Sequence, residues 1–267
     1  MQILSVSSLK GGVGKTSVTM GLASSALNSG VSTLVIDLDP HADATTGLSV
    51  SRGAGREAGQ LLKEARKASL SDHVVRSGWL DLLEDPGSAA RLDVVVGSAL
   101  SATFDRPDIR PRDMKRLKTL LQGVSGYELV LVDCPPSLSG LTRIAWAASH
   151  QVLLVAEPSL FSVAGTERTM RAIKMFSNEF APQLTQAGVV VNRARADSAE
   201  HEYRLLEMER LYQDKLMLPV LEENPHWQQI QGAAYPVHQW PGDQVRDMAK
   251  SFDELLKQLV PAKTLKK

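Results

Sequence analysis

The sequence predicts an α/β fold, a twisted and mostly parallel sheet with helices on both faces. Three observations predict it. Runs of strand length that are apolar throughout recur along the 267 residues, as strands buried on both faces must be. Segments of helical periodicity separate those runs. The first run ends in a glycine-rich stretch, SSLKGGVGKTSV (Ser7 to Val18), that leads directly into a helix.

Taken in order, QILSVSSL is short, apolar and β-branched and stops at glycine, so it is the first strand. KTSVTMGLASSALNSG is a helix ending near Gly30. STLVIDLDP is a second buried strand that ends in acids. Residues 47 to 90 carry a weaker signal, with a helix around Glu57 to Ala68. RLDVVVGS is a third strand and RDMKRLKTLLQGV a helix. YELVLVDCPP is a strand ending at Asp133, after which two prolines force the chain out of the sheet. HQVLLVAEP is the next strand, followed by a helix from about Ser162 to Phe180. AGVVVNR is another, and SAEHEYRLLEMERLYQDK is an amphipathic helix. LMLPVLEEN is a short last strand, and GDQVRDMAKSFDELLKQLV is the final helix. PDIRPRD and SRGAGREAG read as surface loops. With no internal repeat, low-complexity tract or clear linker, residues 1–267 are expected to form one domain.

Composition narrows the function. Lys plus Arg number 30 and Asp plus Glu number 30, so total charge makes no demand for nucleic acid, although a locally basic face is compatible with it. One cysteine, Cys134, excludes an internal disulfide and a four-cysteine metal site. Beside an apolar run it reads as a small buried residue rather than a reactive thiol. The first residues lack the basic lead and apolar run of a signal peptide, and no segment approaches the ~18 apolar residues of a membrane span. A soluble cytoplasmic protein is expected.

The glycine stretch carries the chemistry. The phosphate-loop pattern G-x-x-x-x-G-K-[ST] asks for glycine six residues before the lysine, where this chain has Leu9. The rest of the pattern is met. Gly11, Gly12 and Gly14 let backbone N–H groups turn inward. Lys15 and Thr16 open a helix whose positive end favours phosphate, and the Thr16 hydroxyl suits Mg²⁺. The plainer alternative is a glycine turn before a helix. Parallel sheets bind ligands at the carboxyl ends of their strands, where Asp37, Asp39 and Asp133 also fall. Asp133, at a buried strand end, suits Mg²⁺ directly or through water; its alternative is a capping or turn aspartate. Asn192, at the end of VVVNR, offers an amide able to read adenine's edge.

KGGVGKT matches the deviant Walker A motif of the ParA/MinD family of ATPases. VIDLDPHADAT is similar to the family's second motif, and LVLVDCPPSLSGLT resembles its Walker B segment. Three motifs in order over residues 2 to 145 carry the resemblance. It implies a P-loop NTPase fold of the deviant Walker A type and slow hydrolysis of ATP with Mg²⁺. The nucleotide would lie on Lys10, Gly11, Gly12, Val13, Gly14, Lys15, Thr16 and Ser17, with adenine near Asn192 and in the segment from Pro219 to Glu223. Lys10 stands where the family has its signature lysine, which reaches the nucleotide of the other subunit of an ATP-dependent homodimer. A cation there stabilises charge on the transferring phosphoryl group. A solvated surface lysine is the bland reading of Lys10. The resemblance further makes Lys10, Lys15 and Asp37 catalytic, with Asp37 positioning or polarising water, and assigns Mg²⁺ to Thr16, Asp39 and Asp133. Where the family has Gln-x-Asn, this chain has His41, Ala42 and Asp43. His41 is read as exposed, with a pH-sensitive role as the alternative.

ParA-type members bind DNA without sequence preference through arginines late in the chain. Arg193, Arg195 and Arg204 are the corresponding candidates here, joined by Arg210, Lys215, Lys250 and Lys257. Yet LEENPHWQQ is acidic and polar, with Glu223 and His226 where arginines often stand. MinD-type members anchor to membrane by a C-terminal amphipathic helix. Phe252, Leu255, Leu256, Leu259 and Val260 do repeat at helical spacing here, but Asp247, Asp253 and Glu254 on the same helix oppose an anionic surface. Packing onto the domain is therefore expected, with KTLKK as a solvated tail and no stable membrane insertion. The expected function is positioning of DNA in chromosome or plasmid segregation, or of another cargo. Hydrolysis would be stimulated by a ParB-like partner, and the protein would be nucleoid-associated if DNA binding holds. A MinD-like division-site regulator and a P-loop metabolic enzyme are the rivals.

Overall fold

A computed structural model of the protein describes residues 1–51, 53–83, 90–243 and 245–261. Strand β1 (Gln2–Ser7) runs through the glycine loop into α1 (Lys15–Asn28). Next come β2 (Thr33–Asp37), the short α2 (Asp43–Gly47) and α3 (Ala58–Lys63). Strand β3 (Val75–Arg76) lies between two 3-10 turns, and β4 (Leu92–Val95) precedes α4 (Pro111–Met114) and α5 (Arg116–Leu121). The chain continues with β5 (Leu129–Asp133), α6 (Gly140–Ala148), β6 (Gln151–Ala156), α7 (Leu160–Phe180), β7 (Thr185–Val191) and α8 (Ala199–Tyr212). It ends with β8 (Leu216–Met217), α9 (Trp227–Gly232) and α10 (Arg246–Leu259).

One sheet holds these strands in the order β3-β4-β2-β5-β1-β6-β7-β8, and every neighbouring pair is parallel except β3 with β4. The mostly parallel sheet with helices on both faces is the architecture the apolar strands predict. Alternate residues along each strand enter different cores. Leu4 and Val6 of β1 face the layer of α1 and α10, and Ile3 faces α3, α5 and α6. Val152, Leu154 and Ala156 of β6 face α7 and α8.

Three expectations change. Strand β3 was not legible in residues 47 to 90, because two residues on an antiparallel edge give no periodic pattern. The expected helix over RDMKRLKTLLQGV divides at Lys115 into α4 and α5, with Pro111 at the first turn of α4. Helix α3 stops at Lys63 rather than near Ala68.

The C-terminal helix docks on the domain, as expected. Phe252, Leu255, Leu256, Leu259 and Val260 are all buried. A Cβ at Gly21 of α1 would lie 2.2 Å from the Phe252 ring, so only glycine lets α10 approach this closely. Ser25 donates a 2.6 Å hydrogen bond to Asp253, which also meets the His238 ring at 3.0 Å. Among the described residues, no helix is long and apolar enough to cross a membrane. The tail KTLKK and Arg52 of the first surface loop lie outside the described residues.

Candidate functional site

The glycine loop joins β1, central in the sheet, to α1, with the carboxyl ends of β2 and β5 alongside. Gly14 caps α1 in the left-handed region, at φ 88°. A Cβ there would sit 2.3 Å from Nδ2 of Asn192, so both the dihedral and the space require glycine. Asn192 Nδ2 donates to the Val13 carbonyl at 2.9 Å and clamps the loop from the end of β7.

Lys15 is buried, 7% exposed, and lines an open cleft of about 600 Å³. Gly12, Gly14, Thr16, Ser17, Asp39 and Arg193 border the same cleft. The Thr16 hydroxyl donates to Asp133 Oδ2 at 2.7 Å, and the Thr19 hydroxyl to Asp133 Oδ1 at 2.9 Å. Burial pushes the fully buried Asp133 carboxyl above its ordinary range, and the two threonine hydrogen bonds oppose that rise.

Asp37 is Asp133's neighbour across the β2–β5 ladder. Its Oδ2 accepts from the Thr45 N–H at 2.8 Å and from the Thr45 hydroxyl at 2.7 Å. Its Oδ1 is buried and has no hydrogen-bond partner. Burial first, and then the negative charge of Asp133, raise its pKa. Asp37 does not border the cleft, whereas Asp39 does. The expected water-polarising role of Asp37 therefore does not match its position. Its carboxylate faces Thr45 inside the core, and Asp39 is the acid presented to the cleft. Asp39 accepts from the His41 N–H at 3.0 Å and meets the exposed His41 ring at 2.9 Å, and that hydrogen bond raises the His41 pKa.

A magnesium–triphosphate group fits this donor set. Mg²⁺ is usually held by a hydroxyl or one or two carboxylates together with phosphate oxygens and water. Thr16 and Asp133 form such a pair beside a buried lysine. Among the described residues no cluster of three His, Cys, Asp or Glu could hold a metal by itself. Cys134 is buried and its thiol is pushed up to about 12 by that burial, so it remains an inert thiol.

Lys10 lies at the outer rim of the loop, 37% exposed. It forms an ion pair with Glu157, in the turn after β6, and a 3.3 Å hydrogen bond to Ser159. The bland reading, a lysine free in solvent, is not what the structure has. Glu157 escaped sequence reasoning because 147 positions separate it from Lys10.

The expected DNA residues are placed differently. Arg193, in the left-handed region at φ 59°, turns back and donates to the Gly12 carbonyl at 2.7 Å. Its side chain belongs to the loop. Arg204 pairs with Glu200 and Glu207, both at 2.7 Å, and is 14% exposed. Arg193 and Arg195 are both exposed and neither enters an ion pair among the described residues, but the Arg193 side chain is held by the loop. Arg195 is the other candidate. It borders a second cavity of about 720 Å³ beside the loop, together with Asn192, Leu221, Glu223, Asn224 and Pro225. That cavity is the candidate base site. The Asn192 amide nitrogen is engaged with Val13, and Pro219 does not border the cavity; residues 221 to 225 take the place expected for it. Gln231 of α9 donates to the Ser17 hydroxyl at 3.1 Å, a contact that no motif announced.

A family profile described as an AAA domain matches residues 1–186. A ParA family protein of Chlamydia muridarum is 33% identical over 180 residues, 67% of each chain. The chromosome partitioning protein ParA of Caulobacter vibrioides is 26% identical over 229 residues, covering 84% of this chain and 81% of that protein. Among solved structures, a variant of McdA from Cyanothece in complex with ATP superposes with a TM-score of 0.80 at 20% identity, covering 97% of this chain and 96% of that one. With the lysine-flanked glycine loop, the paired acids of the strand ends and this agreement in hand, the chain belongs to the ParA/MinD family of P-loop proteins.

Proposed function

We propose that this protein is an ATP-dependent dimerising switch that positions DNA or another intracellular cargo and resets by slow hydrolysis. The observation that carries the reading is the division of labour between two lysines on one loop. Lys15 is buried in the cleft beside Thr16 and Asp133, and Lys10 stands outside that cleft on the rim, half-exposed and paired with Glu157.

In this reading Lys15 and the N–H groups from Gly11 to Ser17 hold the phosphates of their own subunit. Thr16 and Asp133 would hold Mg²⁺, which would neutralise phosphate charge. Asp39 orients water, and the buried Asp37 keeps Thr45 and the turn after β2 in register for it. Lys10 leaves Glu157 and crosses to the partner's phosphates. Relatives named for chromosome partitioning and an ATP complex on the same fold support the reading. The burial of the apolar face of α10 on α1 speaks against a membrane-anchoring role for that helix.

The test is Lys10→Ala with Mg²⁺ and a slowly hydrolysed ATP analogue. Nucleotide affinity should stay within about threefold of wild type, since no cleft contact is removed, while light scattering should show a monomer where wild type dimerises. A normal dimer from Lys10→Ala overturns the trans role. A wild type that stays monomeric with every nucleotide overturns the switch.

A further inference from the structure

A group of cations without close ion pairs lies far from the arginines of β7 and α8, on the opposite flank of the sheet. Two adjoining grooves, about 730 and 620 Å³, run between α3 and the segment of α4 and α5, sharing Lys63, Glu64, Asp113 and Arg116. Lys63, Arg66 and Lys67 form one rim; Arg110, Arg112 and Lys115 form the other. All six are exposed. Five of them enter no ion pair among the described residues, and Arg112 only approaches Asp113 at 4.0 Å.

Of the three acids that line the grooves, two are answered from within, and Asp108 is exposed with no ion pair among the described residues. Glu64 pairs with Arg56 at 2.8 Å, and Asp113 accepts from Arg116 at 2.8 Å. Arg116 also donates to the Leu62 and Lys63 carbonyls at 2.8 and 3.2 Å, tying α5 to the end of α3. The floor is thus fixed by hydrogen bonds, and the rim cations are left for something else. In a chain with 30 basic and 30 acidic residues, such a concentration is made by placement and not by composition. On the opposite flank Arg193 and Arg204 are both engaged internally, and Asp197, Glu222 and Glu223 line the same cavity as Arg195.

We infer that the groove between α3 and α4–α5 is a docking surface for the phosphate backbone of duplex DNA. Two facing rows of lysine and arginine suit paired lines of phosphate, and this contact carries no base information. The one aromatic ring in the groove, Phe104, lies under the Arg116 guanidinium at 5.4 Å, so it offers no platform for stacking unpaired bases. The biological use of the surface rests on the proposed switch, but the two ideas fail separately.

The experiment measures retention of a fluorescent duplex of random sequence over a salt series. It compares wild type, the Lys63→Glu/Lys67→Glu/Lys115→Glu variant, its all-Gln counterpart and Arg195→Glu, with ATP analogue and Mg²⁺. The charge-reversed variant should bind at least about tenfold more weakly, and the all-Gln variant should show a salt slope shallower by about 3. Arg195→Glu should change affinity less than either. Groove variants that bind like wild type overturn the inference, as does loss of binding confined to Arg195→Glu. No retention of duplex by wild type, or retention on phosphatidylglycerol vesicles in its place, overturns it as well. Analogue-dependent dimerisation is read in the same samples. Its absence from wild type condemns the switch, while the groove still stands or falls on DNA retention alone.

Discussion

At the inner end of the glycine loop, Lys15 is 7% exposed beside an acid whose two oxygens are both occupied by threonine hydroxyls. At the outer end, Lys10 is 37% exposed and its principal partner is a carboxylate on another loop. Two lysines five positions apart on one loop therefore sit in opposite physical regimes. Contacts at the inner end are desolvated, so they are strong, rigid and insensitive to salt. The contact at the outer end is a half-exposed ion pair, worth under about 1 kcal/mol, and is readily exchanged for a better partner. A switch needs both, a fixed seat for the nucleotide and a weakly held arm that leaves when the partner arrives.

The largest effect should come from breaking the inner end. Lys15→Ala removes charge-assisted hydrogen bonds to phosphate, worth about 3 kcal/mol together, so nucleotide affinity should fall more than about 10²-fold by titration calorimetry. Dimerisation should be lost with it. If Lys15→Ala and Lys10→Ala weakened nucleotide binding equally, the two ends would not differ in kind.

Asp39→Asn sharpens the comparison from within the cleft. It keeps the size of the side chain and removes the charge that faces the cleft. Nucleotide binding and dimerisation should persist, while turnover, followed by phosphate release, falls about 10²-fold. Asp37→Asn should spare dimerisation too, because the carboxylate it replaces carries an unsatisfied buried oxygen next to Asp133. Turnover that depended on Asp37 and ignored Asp39 would reverse the assignment drawn from their positions.

What the sequence disclosed follows the same division. The inner end was legible because its parts are contiguous or stand at strand ends: Gly14, Lys15 and Thr16 lie in one run, and Asp133 closes an apolar strand. The parallel sheet was legible because burial on both faces makes each strand apolar throughout. The outer end was not, since Lys10–Glu157 and Arg193–Gly12 join segments 147 and 181 residues apart and leave no periodic trace. The family resemblance marked Arg193 and Arg204 for DNA, but it does not reveal that each has an internal partner. For the same reason none of the cations around α3 and α4–α5 stands out in the sequence, and only the fold sets them side by side.

Glu157→Gln should have a smaller effect, in the opposite direction to Lys10→Ala. Freed from its carboxylate, Lys10 has less to give up on crossing, so analogue-dependent dimerisation should tighten by up to about fivefold. Sedimentation across a protein concentration series reads this directly. Weaker dimerisation would mean that Glu157 acts in the dimer and does not merely hold the arm beforehand.

The smallest effect is the pH dependence of that arm in the nucleotide-free protein. Burial alone would raise the Glu157 pKa, but the Lys10 hydrogen bond and charge outweigh it and hold the carboxyl below its ordinary 4.5. A depressed carboxyl contributes stability that is fully present above the unfolded-state value and is lost as pH falls through the folded one. Wild type should therefore exceed Glu157→Gln in stability at pH 7, by less than about 1 kcal/mol because the pair is partly exposed. The gap should narrow once the pH drops below 4.5 and close below the folded-state value. Raising salt at pH 7 should shrink it too, whereas the Thr16–Asp133 contact at the inner end, being buried, should not respond. Urea unfolding of the two proteins across pH and salt measures both trends. A gap that widened in acid, or ignored salt, would place Glu157 in the same desolvated regime as Asp133 and erase the difference between the two ends of the loop.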